Sequence, residues 1–292
     1  MGVIGKKRVA SGMAKWLRVC LCAFLGACVD ASLSIIDSAI VVKGITWFHE
    51  GNISVTVGSK IFSTKDASLK ANGRATTFSG NDNLGQFTCK TQKWLAGDTA
   101  FTTSTREYSG KFVIFSQTYP QGANGTMRTG KRGDVSSCFP SIDPTPADGK
   151  PRGFVSWQGR FLEGSHGGRW LAANPGVGTG DAGGPFVVFG QPMNESLVFS
   201  AASNFMTNTV GRMADFGLAG ETSFCFGLDA PVSSVPAGYT LETILFLGNG
   251  VNSVGEPPNT YHSYTYTCTR VTRFASHVSG NERVWLHSLG KV

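Results

Sequence analysis

Apolar residues along this chain fall in short runs punctuated by glycine, proline, asparagine and serine, not at the three- and four-residue spacing of an amphipathic helix. Residues 34–42 and 45–57 are rich in β-branched side chains and end in glycine-bearing turns, a pattern that predicts strands. Phe112-Val113-Ile114-Phe115 is a compact apolar run ahead of the turn Pro120-Gln121-Gly122. Residues 185–189 and 197–199 bracket Gly190-Gln191-Pro192-Met193-Asn194-Glu195, which predicts a hairpin, and 241–247 predicts a further buried strand. Between 33 and 258 nothing predicts a helix longer than two turns. Residues 141–153 (SIDPTPADGKPRG) are turn-like, either a long loop or the one internal boundary. The expected fold is all-β: an antiparallel, supersandwich-like β-sandwich over 32–252, followed by an irregular, poorly ordered basic tail over 253–292.

Composition agrees with that pattern. Glycine takes 38 of 292 positions and charged residues only 15%, a balance suited to many short strands joined by tight turns. The ends differ from the body. Lys6, Lys7, Arg8, Lys15 and Arg18 lead into the apolar run VCLCAFLGACV (19–29), too short to span a bilayer, and Val29-Asp30-Ala31 offers a small-residue cleavage pattern. Residues 1–31 therefore read as a secretory signal peptide, which places the mature chain outside the cell or in the endomembrane lumen, with no stable membrane span. The formal charge of +7 belongs to the two ends: residues 1–32 carry four of these charges and 259–292 the other three. A body with no net basic excess excludes a nucleic-acid partner bound through phosphate neutralisation.

Beyond the signal segment, with its Cys20, Cys22 and Cys28, four cysteines remain: Cys89, Cys138, Cys225 and Cys268. They are candidates for two disulfides in any of three pairings. Asn52, Asn124 and Asn194 stand in glycosylation sequons. His49, His166, His262, His277 and His287 show no metal-ligand spacing, and nothing calls for a metal or a cofactor.

The stretch GTGDAGGPF (178–186) is one letter away from the surroundings of a chymotrypsin-like nucleophile, but position 182 is alanine and no base stands in that family's context. A degenerate serine protease is the weakest of three readings; glycines that deliver the chain into the strand at 186–189 explain the stretch better. Arg132-Gly133-Asp134 reads as a turn before Cys138. Trp157, Gln158 and Arg160 are the candidate carbohydrate contacts, because an indole face stacks on sugar rings while amide and guanidinium groups bond hydroxyls. The competing reading of Trp157 is a core residue in a strand.

Five segments in order, FVIFSQTYPQG (112–122), GFVSWQGRF (153–161), GGPFVVF (183–189), SLVFSAASNFM (196–206) and VPAGYTLETILFLGNGVN (235–252), together resemble a known family. They look like the N-terminal β-sandwich region of raffinose-synthase-like and α-galactosidase-like proteins of the glycoside hydrolase family 36 group. The resemblance covers about half of the chain. It implies a secreted, carbohydrate-active protein related to retaining α-galactoside hydrolases and galactosyl-transferring enzymes. In that family a separate (β/α)₈ barrel carries both catalytic carboxylates. The resemblance ends near Asn252, so no catalytic residue is assigned here, and the expected activity is that of a non-catalytic sandwich whose barrel is missing. An independent secreted carbohydrate-binding or interaction module is the alternative.

Overall fold

The computed structural model describes residues 32–110, 112–128, 135–158, 164–170, 185–190, 195–214 and 222–248. All regular structure there is strand. The first part of the chain supplies β1 (Leu33–Ile36), β2 (Ala39–Val42), β3 (Ile45–His49), β4 (Ser54–Val57), β5 (Lys60–Ser63), β6 (Leu69–Ala71) and β7 (Thr76–Asp82). Three longer strands follow, β8 (Gly85–Ala96), β9 (Thr99–Tyr108) and β10 (Phe112–Tyr119), then the short β11 (Ala123–Asn124), β12 (Ser137–Cys138) and β13 (Ser141–Ile142). The remainder contributes β14 (Arg152–Gln158), β15 (Gly164–Trp170), β16 (Phe186–Phe189), β17 (Ser196–Ala201), β18 (Asn208–Ala214), β19 (Thr222–Leu228), β20 (Ser234–Val235) and β21 (Tyr239–Gly248).

One large antiparallel sheet runs in the order β15-β14-β16-β17-β21-β10-β9-β8-β6, with β7 also paired to β8. Against it lie three small antiparallel sheets, β1-β2-β3, β12-β4-β5 and β13-β19-β18, and the pair β11-β20. The all-β expectation holds, with packed antiparallel sheets and no helix among the described residues. None of them forms a helix long and apolar enough to cross a membrane. The tail beyond 248 and residues 1–31 lie outside the described residues.

Two predicted strands turn out to be broken. Residues 34–42 form a hairpin, because Asp37 and Ser38 take positive φ angles of 47° and 58° and reverse the chain between β1 and β2. A mirror-image turn of this kind matches the twist of the paired strands. Residues 45–57 split into β3 and β4, separated by Glu50–Ile53, where Glu50 bridges to Ile142. The 185–199 hairpin is present as predicted, with Phe186 opposite Phe199 and Phe189 opposite Ser196.

Residues 143–151 form a loop fastened to the layer beneath. Ala147 N–H donates to the Trp47 carbonyl at 2.9 Å, and Trp170 Nε1 donates to the Pro144 carbonyl at 2.6 Å. At the end of this loop the Arg152 guanidinium is buried, lies 4.3 Å from the centre of the Trp47 ring and pairs with Asp148 at 2.7 Å. Burial opposes ionisation of Asp148, but the hydrogen bonds from Arg152 and the Lys150 backbone prevail and hold its carboxyl below the usual range.

The space between the layers is filled with rings. Phe186 meets Phe224 at 4.6 Å between centroids, Phe199 stacks on Phe226 at 4.7 Å, and Trp170 touches Phe48, Phe154, Phe186 and Phe224. Buried Gln117 crosses the same space and donates from Nε2 to the carbonyls of Phe139 (2.6 Å) and Phe226 (3.0 Å), joining the large sheet to the opposite layer by polar bonds as well. Cys138 and Cys225 form a buried disulfide between β12 and β19. Beside it Gly227 packs so closely on β12 that an added Cβ would run into the Ser137 carbonyl oxygen. Gly227→Ala should therefore destabilise the fold by about 1–3 kcal/mol or more, since backbone blocks the added methyl. A thermal melt beside the native chain checks this, and an unchanged midpoint would contradict the packing described.

Candidate functional site

On the face of the large sheet that faces the opposite layer, Val113 lies across from Glu107, Glu107 from Thr88, and Thr88 from Ser79. Val113 is fully buried, Glu107 half-buried, and Thr88 and Ser79 exposed. At the other end of the strands Thr103 and Phe101 of β9 stay buried, whereas at this end the face that closes on a dry core over β10 turns polar and open over β9, β8 and β7. A cleft of about 890 Å³ occupies this place, lined by Ser34, Ser79, Asn81, Gln86, Thr88 and Glu107 and, among others, by the apolar Leu33 and Phe87.

Local sequence builds its walls. The reversal between β7 and β8 carries an Asx turn, in which Leu84 N–H donates to Asp82 Oδ1 at 2.8 Å, and Gly85 follows at φ +125°, a conformation open to glycine. This turn sets Asn81 opposite Gln86 and Ser79 opposite Thr88. The other wall is β1, whose Ile35 N–H donates to Glu107 Oε2 at 3.1 Å and whose Leu33 N–H donates to the Gly110 carbonyl at 3.0 Å.

A different cluster occupies the reverse face. Arg106 pairs with Glu242 and lies 3.7 Å from Asp82; Tyr108 donates to Asp82 Oδ2 at 2.9 Å, and Ser116 donates to Glu242 Oε1 at 3.2 Å. Burial, and then the bond to the Asp82 carboxylate, push the Tyr108 phenol well above its ordinary value, so it remains a donor. Next to these polar groups Ile114, Val187, Val198, Ile244 and Phe246 form a second buried apolar cluster. Both carboxylates are committed to Arg106 and its neighbours, an arrangement that fastens the β7–β8 turn to β9 and β21.

The residues singled out from sequence fall elsewhere. Trp157 and Gln158 are on β14, opposite Ser165 and Gly164, but their side chains lie outside the described residues, as does all of Arg160. Asn52 is half-buried between β3 and β4 and accepts from Thr64 Oγ1 at 3.3 Å; Asn124 is exposed on β11; Asn194 lies outside the described residues. Of the four disulfide candidates, Cys138 and Cys225 are joined, and Cys268 lies outside the described residues. Cys89 departs from the expectation of two bridges: it is a buried free thiol on β8, 3.5 Å from Thr91 Oγ1. The strand directs it to the face of Arg106, which lies directly opposite it on β9. The stretches 178–184 and 132–134 also lie outside the described residues, whereas Phe186–Phe189 is the strand β16 into which the glycines were expected to lead. Among the described residues no group of three or more His, Cys, Asp or Glu side chains forms a metal centre.

No family model matches the chain, and no curated protein matches it. Similar solved structures include a glycoside hydrolase family 97 enzyme from Pseudoalteromonas sp. strain K8 in complex with acarbose, with a TM-score of 0.43 and 12% identity over 77% of this chain and 35% of that one. A β-arabinopyranosidase follows with a TM-score of 0.42 and 11% identity over 75% and 38% of the two chains. An α-galactosidase from Lactobacillus brevis gives a TM-score of 0.39 and 11% identity over 76% and 34%. The chain spans about a third of the length of these enzymes.

Two expected outcomes follow from the charges. Arg106→Met leaves two partly buried carboxylates without their cation; solvent access reduces the cost of a fully buried break to about 1–2 kcal/mol, or roughly 3–6 °C in the melting midpoint. Glu50, at the head of the β3–β4 connection, has its pKa raised, chiefly by burial. The Ser38 bond and Lys90 oppose the rise and Glu107 adds to it. A carboxyl that holds its proton more tightly when folded costs stability as pH rises through its folded pKa. Glu50→Gln should therefore melt higher than the native chain at neutral pH, and the difference should vanish below the ordinary carboxyl range. A melt series across pH 3–8 checks both the sign and the window.

Proposed function

We propose that this chain is the carbohydrate-directed, non-catalytic sandwich portion of a secreted glycosidase of the α-galactosidase and raffinose-synthase kind. One observation carries the reading. The five segments that resemble that family in sequence, scattered over 112–252, fold as β10, β14, β16, β17 and β21. These are five adjacent strands of the large sheet, in the order β14-β16-β17-β21-β10. Their adjacency is the arrangement expected of one half of such a sandwich, in which the segments that share the resemblance also share a sheet.

The non-catalytic part of the proposal is supported by the carboxylates. A retaining mechanism needs one carboxylate free to attack and one acid free to give a proton, about 5 Å apart. Among the described residues the acids brought together on the sheet, Asp82 and Glu242, are both engaged by Arg106. Secretion is supported by the basic-then-apolar lead of residues 1–31 and by the Cys138–Cys225 disulfide, which persists in oxidising compartments.

The test is a hydrolysis and transfer assay of the secreted 292-residue chain on a panel of α-galactosides, beside a form extended through any downstream reading frame. No turnover by the 292-residue chain and turnover by the extended form are expected. Turnover by the shorter form would overturn the non-catalytic reading.

A further inference from the structure

We infer that the cleft between β1 and the β7–β8 hairpin is a binding site for a short neutral oligosaccharide; the inference rests on the carbohydrate reading above and gives it a place in the fold. The argument begins with unused bonding capacity. The side chains of Ser34, Ser79, Asn81, Gln86 and Thr88 make no hydrogen bond to another described residue, although serines and threonines elsewhere in this chain are widely engaged. Three hydroxyls and two amides on one concave surface present donors and acceptors together, the mixture that complements a hydroxyl, which is itself both.

Their placement is fixed by backbone. Ser79, Thr88 and Glu107 form one row across three paired strands, and Asn81 with Gln86 forms the next row, two residues along. Strands about 4.8 Å apart with same-face side chains about 6.8 Å apart make a regular grid of polar ends, held by the sheet and not by a loop. Such a grid loses little conformational freedom when a ligand arrives.

Charge selects the ligand class. Among the described residues Glu107 is the one charged residue lining the cleft, with Lys90 the next residue along the same face of β8; the Glu107 Oε2 is taken by the Ile35 N–H, which orients the carboxylate and leaves Oε1 for a ligand hydroxyl. A fixed negative charge, with no cation among the described lining residues, opposes phosphate, sulfate and carboxylate ligands. Leu33 and Phe87 add apolar wall beside these side chains, a mixture that suits a sugar ring with its hydroxyls and C–H faces, whereas a wholly apolar ligand would strip water from five polar side chains and return no bonds to them. A neutral polyhydroxylated molecule meets both conditions, and about 890 Å³ lies within the range of small-molecule sites, roughly 300–1,000 Å³.

The experiment uses the full secreted chain with its disulfide intact. Raffinose, maltotriose and cellotriose serve as neutral probes and trigalacturonate as the acidic one, with binding read by saturation-transfer NMR and calorimetry. The variants are Asn81→Ala with Gln86→Ala, Glu107→Gln, which keeps the acceptor for Ile35, and Lys70→Ala at an exposed position of β6 as a remote control. The inference expects at least one neutral trisaccharide to bind, at least tenfold weaker binding in the Asn81/Gln86 double variant, a several-fold loss in Glu107→Gln, and no change in Lys70→Ala, with melting midpoints unchanged throughout. Neutral binding that survives in both cleft variants would overturn the cleft as the site and leave the carbohydrate reading standing. Preference for trigalacturonate that depends on Asn81 and Gln86 would overturn the neutral ligand class. No binding of any trisaccharide would overturn the carbohydrate reading and the cleft inference together.

Discussion

The dry layer of aromatic rings between the sheets is the constraint on which the rest of this structure depends. Phe48, Phe115, Phe154, Phe186, Phe199, Phe224, Phe226 and Trp170 meet in one continuous cluster, drawn from both the large sheet and the small sheets opposite. Rings of this size each remove a large apolar area from water and prefer tilted or edge-on contact, so the spacing of the layers is set where they interlock. The small sheets have three strands each, near the lower limit for a stable sheet, and need a buried apolar face. Sheets β1-β2-β3 and β13-β19-β18 cover this layer, β4 buries Val55 and Val57 in an adjoining cluster with Phe101, Tyr119 and Leu241, and the disulfide between β12 and β19 ties two of the sheets to each other.

Where the rings give out, the character of the same sheet face changes, and the change follows from coverage. Over β10 the face is Val113, Phe115, Gln117 and Tyr119, all buried; one strand away, over β9, it is Glu107, Thr105 and Thr103; two strands away it is Thr88, Lys90 and Gln92. Sheet β1-β2-β3 reaches only far enough for β1 to rim this polar region, through Ile35 and Glu107. The cleft is thus the margin at which an antiparallel sheet leaves its core with strand geometry still intact. On the reverse face Arg106 plays a corresponding part, holding the turn at Asp82 beside Tyr108 and Glu242.

How much of this could be read from sequence depended on whether a strand is buried on both faces. The runs at 112–115, 186–189, 197–199 and 241–247 stood out because their side chains alternate between the aromatic layer and the second apolar cluster around Ile114, Val198 and Ile244. Strands of that kind are apolar without interruption. By contrast TTFSGND, GQFTCKTQKWLA and TAFTTSTREY, which become β7, β8 and β9, are rich in threonine and give no apolar run, so the sequence pattern does not reveal the meander that forms the cleft. Its available signals were the turn text Asp82-Asn83-Leu84-Gly85 and Ala96-Gly97-Asp98, flanking threonine-rich strands. The Cys89 pairing could not be judged without knowing the face to which β8 directs it, a property of register and not of spacing.

Separation of the ring layer from the polar margin also separates the residues that set stability from Ser79, Asn81, Gln86 and Thr88 of the cleft, whose side chains hold nothing in the fold together. A change at Phe199 or Phe224 alters the spacing of both layers, because each ring has partners on several strands. Substitutions at Ser79, Asn81, Gln86 or Thr88 break no side-chain bond among the described residues and open no cavity, and surface changes of that kind fall within about ±0.5 kcal/mol. Residues placed on a rigid sheet, but not used to hold it, can vary with the ligand they meet while the fold stays constant. Of the rings in this layer, Phe115, Phe154, Phe186 and Phe199 come from β10, β14, β16 and β17 of the large sheet, and Phe48, Phe224 and Phe226 from the small sheets, so the layer depends on both sides while the polar margin depends on neither.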